Sequence, residues 1–200
     1  MASYDIILIT IMNKTKIKFA FVGRLTKEKG FDLICDRLQH LYDNKSSHID
    51  LFTLDVYGDG EFTQDISHLS KSLPNVTYHG HLPFDQVVKQ IQDYDYNLMP
   101  SRFLETFGLT ALDFALYGIP TIWFAKWWLT QFILDPTLDI NSYAWKSEYD
   151  KFVHCMDFIL IDIDKWRYAD ISKQISTLSK NYTRENWIDS FKIITEAIIK

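Results

Sequence analysis

Residues 16–30 read Lys-Ile-Lys-Phe-Ala-Phe-Val-Gly-Arg-Leu-Thr-Lys-Glu-Lys-Gly, an apolar run stopped by a glycine and followed by a basic loop. The run 16–22 is short, dense in apolar residues and bounded by Gly23, as expected of a strand buried on both faces. Phe31, Ile34, Leu38 and Leu41 then recur at helical spacing. The same order continues outward. Residues 51–57 predict a second strand, closed by Gly58-Asp59-Gly60, and 61–72 a helix. Residues 75–79 predict a third strand after Pro74, with a helix over 84–92. A fourth strand over 96–99 ends at Pro100-Ser101, a helix over 106–117 stops at Gly118, and Pro120 opens a fifth strand through Phe124. Strands alternating with helices imply an α/β, Rossmann-like doubly wound parallel sheet with helices on both faces. Such sheets bind ligands at the carboxyl ends of their strands, which selects the loops that open at Gly23, Gly58, Gly80 and Pro100.

Beyond Phe124 the pattern predicts a helix over 126–134, a loop over 136–150, a strand over 158–163 and a helix over 171–178. Trp187, Phe191, Ile194 and Ile198 form a stripe on a terminal helix capped near Thr183. The expected organisation is a leader strand or linker remnant over 1–15, a Rossmann-like domain over 16–182 and a terminal helix over 183–200. With 200 residues and 47% apolar composition the chain can bury one domain-sized core. A net charge of -5 with dispersed basic residues gives no nucleic-acid footprint. The apolar run 6–12 is too short to cross a bilayer and lacks the flanks of a signal peptide. Cys35 and Cys155 match no metal or redox spacing and are expected to be buried and reduced, which fits a reducing cytoplasm.

Two loops carry groups suited to chemistry. In the first, Gly23 lets the backbone approach a ligand closely, and Arg24 and Lys29 supply two cations beside a helix N-terminus. A diphosphate fits there; an ordinary solvated basic turn fits too. In the second, the amides of Phe107, Gly108 and Leu109 open a helix toward an anion, and Glu105 just precedes them. Asp113 follows Glu105 by eight residues, about 12 Å of helix rise, a span suited to gripping both ends of an extended nucleotide sugar. Alternatively Glu105 is a helix cap and Asp113 a surface acid.

Taken together, FVGRLTKEKG, VYGDGE, VTYHGHLP, LMPSRFLETFGLTALDFALYGIPT and the terminal TRENWIDSF resemble the C-terminal, donor-binding domain of retaining glycosyltransferases of the GT-B fold, family 4. The resemblance is concentrated in residues 16–122. It implies that Arg24 and Lys29 bind the donor diphosphate and assist departure of the leaving group, and that Glu105 holds the donor sugar. It implies that Phe107, Gly108 and Leu109 contact sugar or phosphate, and that Asp113 grips the ribose. Gly23 and the pair Gly58 and Gly60 belong to the binding loops, and His81 and Leu82 to the base-binding region. No cofactor or metal is implied, only a UDP- or GDP-sugar as donor substrate. The implied reaction moves a hexose with retention to a glycan or lipid-linked acceptor, as in polysaccharide biosynthesis. The acceptor site would lie in an N-terminal domain or partner subunit, making this chain a fragment, an expressed domain or part of a split enzyme. Isolated, it would be inactive or weakly active. Peripheral contact with the inner face of the plasma membrane is a further expectation.

Two departures stand out. Asp113 replaces the family's usual glutamate and is one methylene shorter. Trp123, Phe124, Trp127, Trp128 and Phe132 replace a small, glycine-rich stretch; they are expected to pack as core, with a patch facing a partner or membrane as the alternative. Other motifs point elsewhere and lack support. Asp93-Tyr94-Asp95 falls at a helix–strand junction, His79 and His81 lack a third metal ligand, and Gly58-x-Gly60 lacks the third glycine of a dinucleotide fingerprint. The competing reading is a non-catalytic nucleotide-sugar-binding or accessory subunit of a partner transferase.

Overall fold

The computed structural model describes residues 16–102, 108–124, 139–142, 147–161 and 165–180. Five parallel strands, β1 (Ile17–Val22), β2 (Phe52–Tyr57), β3 (Val76–Gly80), β4 (Tyr96–Met99) and β5 (Thr121–Trp123), form one sheet in the order β3-β2-β1-β4-β5. Helices α1 (Phe31–Asp43), α2 (Thr63–Ser72), α3 (Phe84–Ile91) and α4 (Leu109–Leu116) make the crossovers. The order reverses between β1 and β4. Successive connections there leave toward opposite sheet edges and open a crevice at the carboxyl ends.

Period-two alternation sends the side chains of β1 to both faces of the sheet, and all but the exposed Lys18 are apolar. Phe19 and Phe21 enter the larger core with Phe31, Ile34, Leu38, Leu54 and Val56, while Ala20 faces a smaller cluster with Tyr57, Val87, Ile91, Tyr94, Phe114 and Ile119. The ring of Phe21 meets Phe31 edge-on at 4.7 Å, fastening α1 to the strand that leads into it. Trp123 and Phe124 are buried, so this described part of the aromatic stretch packs as core; Trp127, Trp128 and Phe132 lie outside the described residues.

The strand expected over 158–163 is instead the end of a helix, α5 (Glu148–Ile161), as far as the described residues reach. Phe152, Cys155, Met156 and Ile159 recur at helical spacing and are all buried. That stripe begins beyond the expected loop 136–150, whose last residues already belong to the helix; without this start, the apolar end of the run imitates a strand. The loop region also contains a bridge from Asp139 to Trp123 and a 3₁₀ turn, Ile140–Ser142. The last helix among the described residues, α6 (Lys165–Ser179), packs beside α4, where the Ser179 hydroxyl donates to the Ala115 carbonyl at 3.1 Å. The expected leader over 1–15, helix over 126–134 and terminal helix over 183–200 lie outside the described residues. No helix among the described residues is long and apolar enough to cross a membrane.

Candidate functional site

The loops after β1 and β2 lie on one another. Gly23 N–H donates to the Tyr57 carbonyl at 3.0 Å, and Leu25 N–H to the Asp59 carbonyl at 2.8 Å. A Cβ on Gly58 would stand 1.9 Å from the Gly23 oxygen, and one on Gly60 2.5 Å from the Leu25 oxygen. Both glycines are therefore required by the backbone-to-backbone approach of two loops. Gly58 also lines a cavity; Gly60 is not among that cavity's lining residues.

Past Gly23 the chain makes a 3₁₀ turn, Lys27–Lys29, and enters α1 through Gly30. Gly30 has φ +70°, and a Cβ there would meet the Pro100 carbonyl oxygen at 1.9 Å. The β1 loop is thereby pressed against the β4 loop across the crevice.

Among the described residues, two cavities lie at the carboxyl end of the sheet and share Val22 and Gly23 in their walls. The smaller, about 60 Å³, lies at the ends of β1 and β4 and is lined by Phe21, Lys29, Met99, Gly108, Leu109 and Thr110 as well. The larger, about 340 Å³, lies over the ends of β1, β2 and β3 and adds Arg24, Tyr57, Gly58, Asp59, His81, Leu82, Pro83 and Val87. Lys29 thus stands with the first turn of α4, whose amides at Leu109, Thr110 and Ala111 have no acceptor within the helix. Gly108 caps that helix in the left-handed conformation, with no side chain capping it. An ammonium and a helix N-terminus together form a positive, amide-lined recess.

Arg24 does not join Lys29 in the smaller cavity. It lines the larger one, and its guanidinium meets the Glu28 carboxylate at 3.4 Å, with both side chains largely exposed. An exposed pair of this kind exchanges readily for a stronger anion. Asp113 lies one turn beyond Leu109 and Thr110 on the same stripe of α4. Burial alone pushes its carboxyl up to about 6. Glu105 and Phe107 lie outside the described residues. His81 and Leu82 line the larger cavity beside Tyr57 and Val87.

Three contributors escaped the sequence reading. Tyr57 forms a wall of the larger cavity; its ring stacks on His79 at 4.5 Å and 5°, and its hydroxyl is hydrogen-bonded to Tyr94 at 2.6 Å and donates to Gln90 at 2.7 Å. The period of β2 could have found it, since Tyr57 occupies the last position on the face opposite Val56. Thr110 follows from the first turn of α4. Arg102 had no local signal at all: it bonds to Asp32 and Glu148, far away in sequence.

Asp93 and Asp95 take no part in either cavity, and Asp95 accepts from the Lys18 amide at 2.7 Å. His79 is bound to Asp55 at 2.8 Å. No group of three or more potential metal-binding side chains occurs among the described residues. Cys35 and Cys155 are buried thiols outside any disulfide; desolvation, with Asp65, Asp36 and Asp32 nearby, pushes the Cys35 thiol up to about 12.

Residues 9–134 match the family described as glycosyl transferases group 1. The chain belongs to that family. Among curated relatives, it is 32% identical over 111 residues to an uncharacterized 41.2 kDa protein in the cps region of Klebsiella pneumoniae, covering 56% of this chain and 28% of the relative. It is 34% identical over 108 residues to glycogen synthase of Lacticaseibacillus casei, covering 52% of this chain and 21% of the enzyme. The group 1 chain therefore matches less than a third of either relative's length. Among solved structures, the pneumococcal O-GlcNAc transferase GtfA in complex with UDP and GlcNAc aligns with a TM-score of 0.69 at 17% identity, over 94% of this chain and 37% of that one. The catalytic domain of cholesterol-α-glucosyltransferase from Helicobacter pylori aligns with a TM-score of 0.59 at 18% identity, over 84% of this chain and 100% of that one. These likenesses share the fold, that of the GT-B glycosyltransferases.

Proposed function

We propose that this group 1 domain binds the donor of a retaining, family 4 hexosyltransferase, a UDP- or GDP-sugar, and transfers its sugar to a glycan or lipid-linked acceptor. The observation that carries the reading is Lys29 at the first turn of α4, in a recess that shares a wall with a nucleoside-sized cavity. The nucleoside occupies the larger cavity against Tyr57, Leu82 and Val87, and the diphosphate reaches toward Lys29 and the amides of Leu109 and Thr110. As the sugar–phosphate bond breaks, negative charge grows on the leaving diphosphate. Preorganised cations and amides stabilise that charge without reorganising. Arg24 leaves Glu28 to join the diphosphate. Asp113 accepts from ribose hydroxyls, and Glu105 and Phe107 serve the sugar.

The acceptor is held by an N-terminal domain or a partner subunit, and the domain alone transfers little. The GtfA and cholesterol-α-glucosyltransferase structures support the sugar-transfer chemistry by fold. Two buried thiols outside any disulfide support a cytoplasmic setting, with peripheral contact at the membrane where lipid-linked acceptors reside. Calorimetry with UDP and GDP on the native chain, Lys29→Ala and Arg24→Ala tests the reading. The expected result is a loss of affinity of about tenfold or more for Lys29→Ala, as befits a charge-assisted phosphate contact. Equal affinity in all three proteins removes the diphosphate assignment.

The shortened acid at Asp113 favours a second reading, an accessory subunit that binds nucleotide sugar without transferring it. Donor hydrolysis by the chain together with its acceptor-binding partner decides for catalysis; nucleotide binding without turnover decides for the accessory role.

A further inference from the structure

The Lys27–Lys29 turn is held at its start by the Glu61 carboxylate, which accepts from the Lys27 amide at 2.6 Å, and has little else of its own. It is three residues of 3₁₀ helix with no buried side chain, and Thr26 at its start makes no capping bond through its side chain. Short 3₁₀ segments also have poor internal hydrogen-bond geometry. Yet this turn aims Lys29 at the recess beside α4.

We propose that Arg102 is the positioning residue that holds this turn in place, so that Lys29 meets an anion in a fixed orientation. The ligand part of the inference rests on the diphosphate reading above. Arg102 bonds the turn twice: its amide donates to the Glu28 carbonyl at 2.8 Å, and its Nη1 to the Lys27 carbonyl at 2.7 Å. The same guanidinium is anchored elsewhere. Nη1 also donates to Asp32 Oδ1 of α1 at 2.6 Å, and Nε to Glu148 Oε2 of α5 at 2.6 Å. A guanidinium is a rigid planar fork, so two carboxylates that grip it also fix the direction of the N–H aimed at Lys27. A lysine has the charge but no such fork. Nη1 and Nε are thus committed to protein groups, and Arg102 acts on the ligand through the turn. The arrangement ties the loop after β4 to the loop after β1, the two walls of the crevice.

The experiment is amide hydrogen exchange on the unliganded chain, paired with calorimetry using UDP and uridine. The Lys29 and Gly30 amides donate to Thr26 and Lys27 carbonyls at 3.1 and 3.0 Å, so they report on the turn. Arg102→Met should accelerate exchange at these two amides by about tenfold or more while leaving the β1 amides unchanged. It should weaken UDP by about tenfold and leave uridine unaffected. Arg102→Lys should resemble Arg102→Met. Unchanged exchange at Lys29 and Gly30, or equal acceleration through β1, overturns the proposal. So does equal weakening of UDP and uridine. Accelerated exchange with unaltered UDP affinity overturns the proposal where Lys29→Ala still weakens UDP, and refutes the diphosphate reading where Lys29→Ala binds UDP as the native chain does. Should Arg102→Met fail to fold, Glu148→Gln removes the more exposed anchor, and it must accelerate the same two amides to a smaller degree or the proposal falls.

Discussion

Replacing Asp113 with asparagine should make the domain more stable and, at the same time, a poorer nucleotide binder. Burial raises the Asp113 carboxyl from 3.8 to about 6, so at neutral pH the folded protein carries a charge its surroundings disfavour. A rise of about two units corresponds to about 3 kcal/mol if fully expressed, at 1.36 kcal/mol per unit. Asp113 is only half-buried, and solvent screening reduces the figure to about 1–2 kcal/mol. The sign follows from linkage: because the folded value is the higher one, the penalty is complete above about pH 6 and fades as pH falls toward 4. The asparagine side chain has nearly the same shape without the charge. Asp113→Asn should therefore raise Tm by about 2–6 °C at pH 7.5, and the gain should vanish near pH 4.

Binding should move the other way. A carboxylate accepts from two ribose hydroxyls where an amide offers one acceptor, so UDP affinity should fall by about tenfold at pH 7.5. Native affinity should also weaken by about tenfold between pH 7 and pH 5 as the acid protonates, beyond any weakening shared with the variant. The terminal phosphate of UDP titrates in the same range in both proteins, so the difference between the two curves carries the result. Differential scanning calorimetry and titration calorimetry on the pair suffice. A variant no more stable than the native chain at pH 7.5, or one that binds UDP equally well, refutes the reasoning.

Gly30→Ala should lower stability by about 2–4 kcal/mol, because a Cβ at φ +70° meets the Pro100 oxygen at 1.9 Å; urea unfolding at constant m-value reads this directly. Phe152→Ala should cost about 3–5 kcal/mol if α5 packs its helical stripe into the core, and a loss under about 1 kcal/mol would contradict that packing. Cys35, with its thiol pushed up to about 12, should resist iodoacetamide at pH 7.5 in the native state and react on denaturation; rapid native labelling would show that the site is open.

The sheet was legible because parallel strands buried on both faces read as short runs dense in apolar residues and closed by Gly or Pro, as in residues 16–22 and 96–99. The carboxyl-end location of the site followed from that topology. Where the reading failed, spacing alone was insufficient. The run 158–163 is apolar and β-branched enough to imitate a strand, and only Phe152 and Cys155 upstream reveal the helix. Gly58 was legible as a loop glycine, but its reason, the oxygen of Gly23 against its missing Cβ, arises only when two loops meet. Arg24 and Lys29 look equivalent in sequence, yet one lines the larger cavity and the other the recess at α4. Arg102 is the extreme case, since its partners lie 70 and 46 residues away.

In the proposed function, a nucleoside diphosphate binds where β1 and β4 diverge. Amide chemical-shift mapping during titration with UDP and GDP tests it most directly. The predicted result is a contiguous set of shifts at Gly23, Lys29, Gly58, Leu82 and Gly108 through Thr110. Shifts gathered instead at the polar groove lined by Lys18, Thr53, Asn75 and Asp93, or none with either nucleotide, would contradict it.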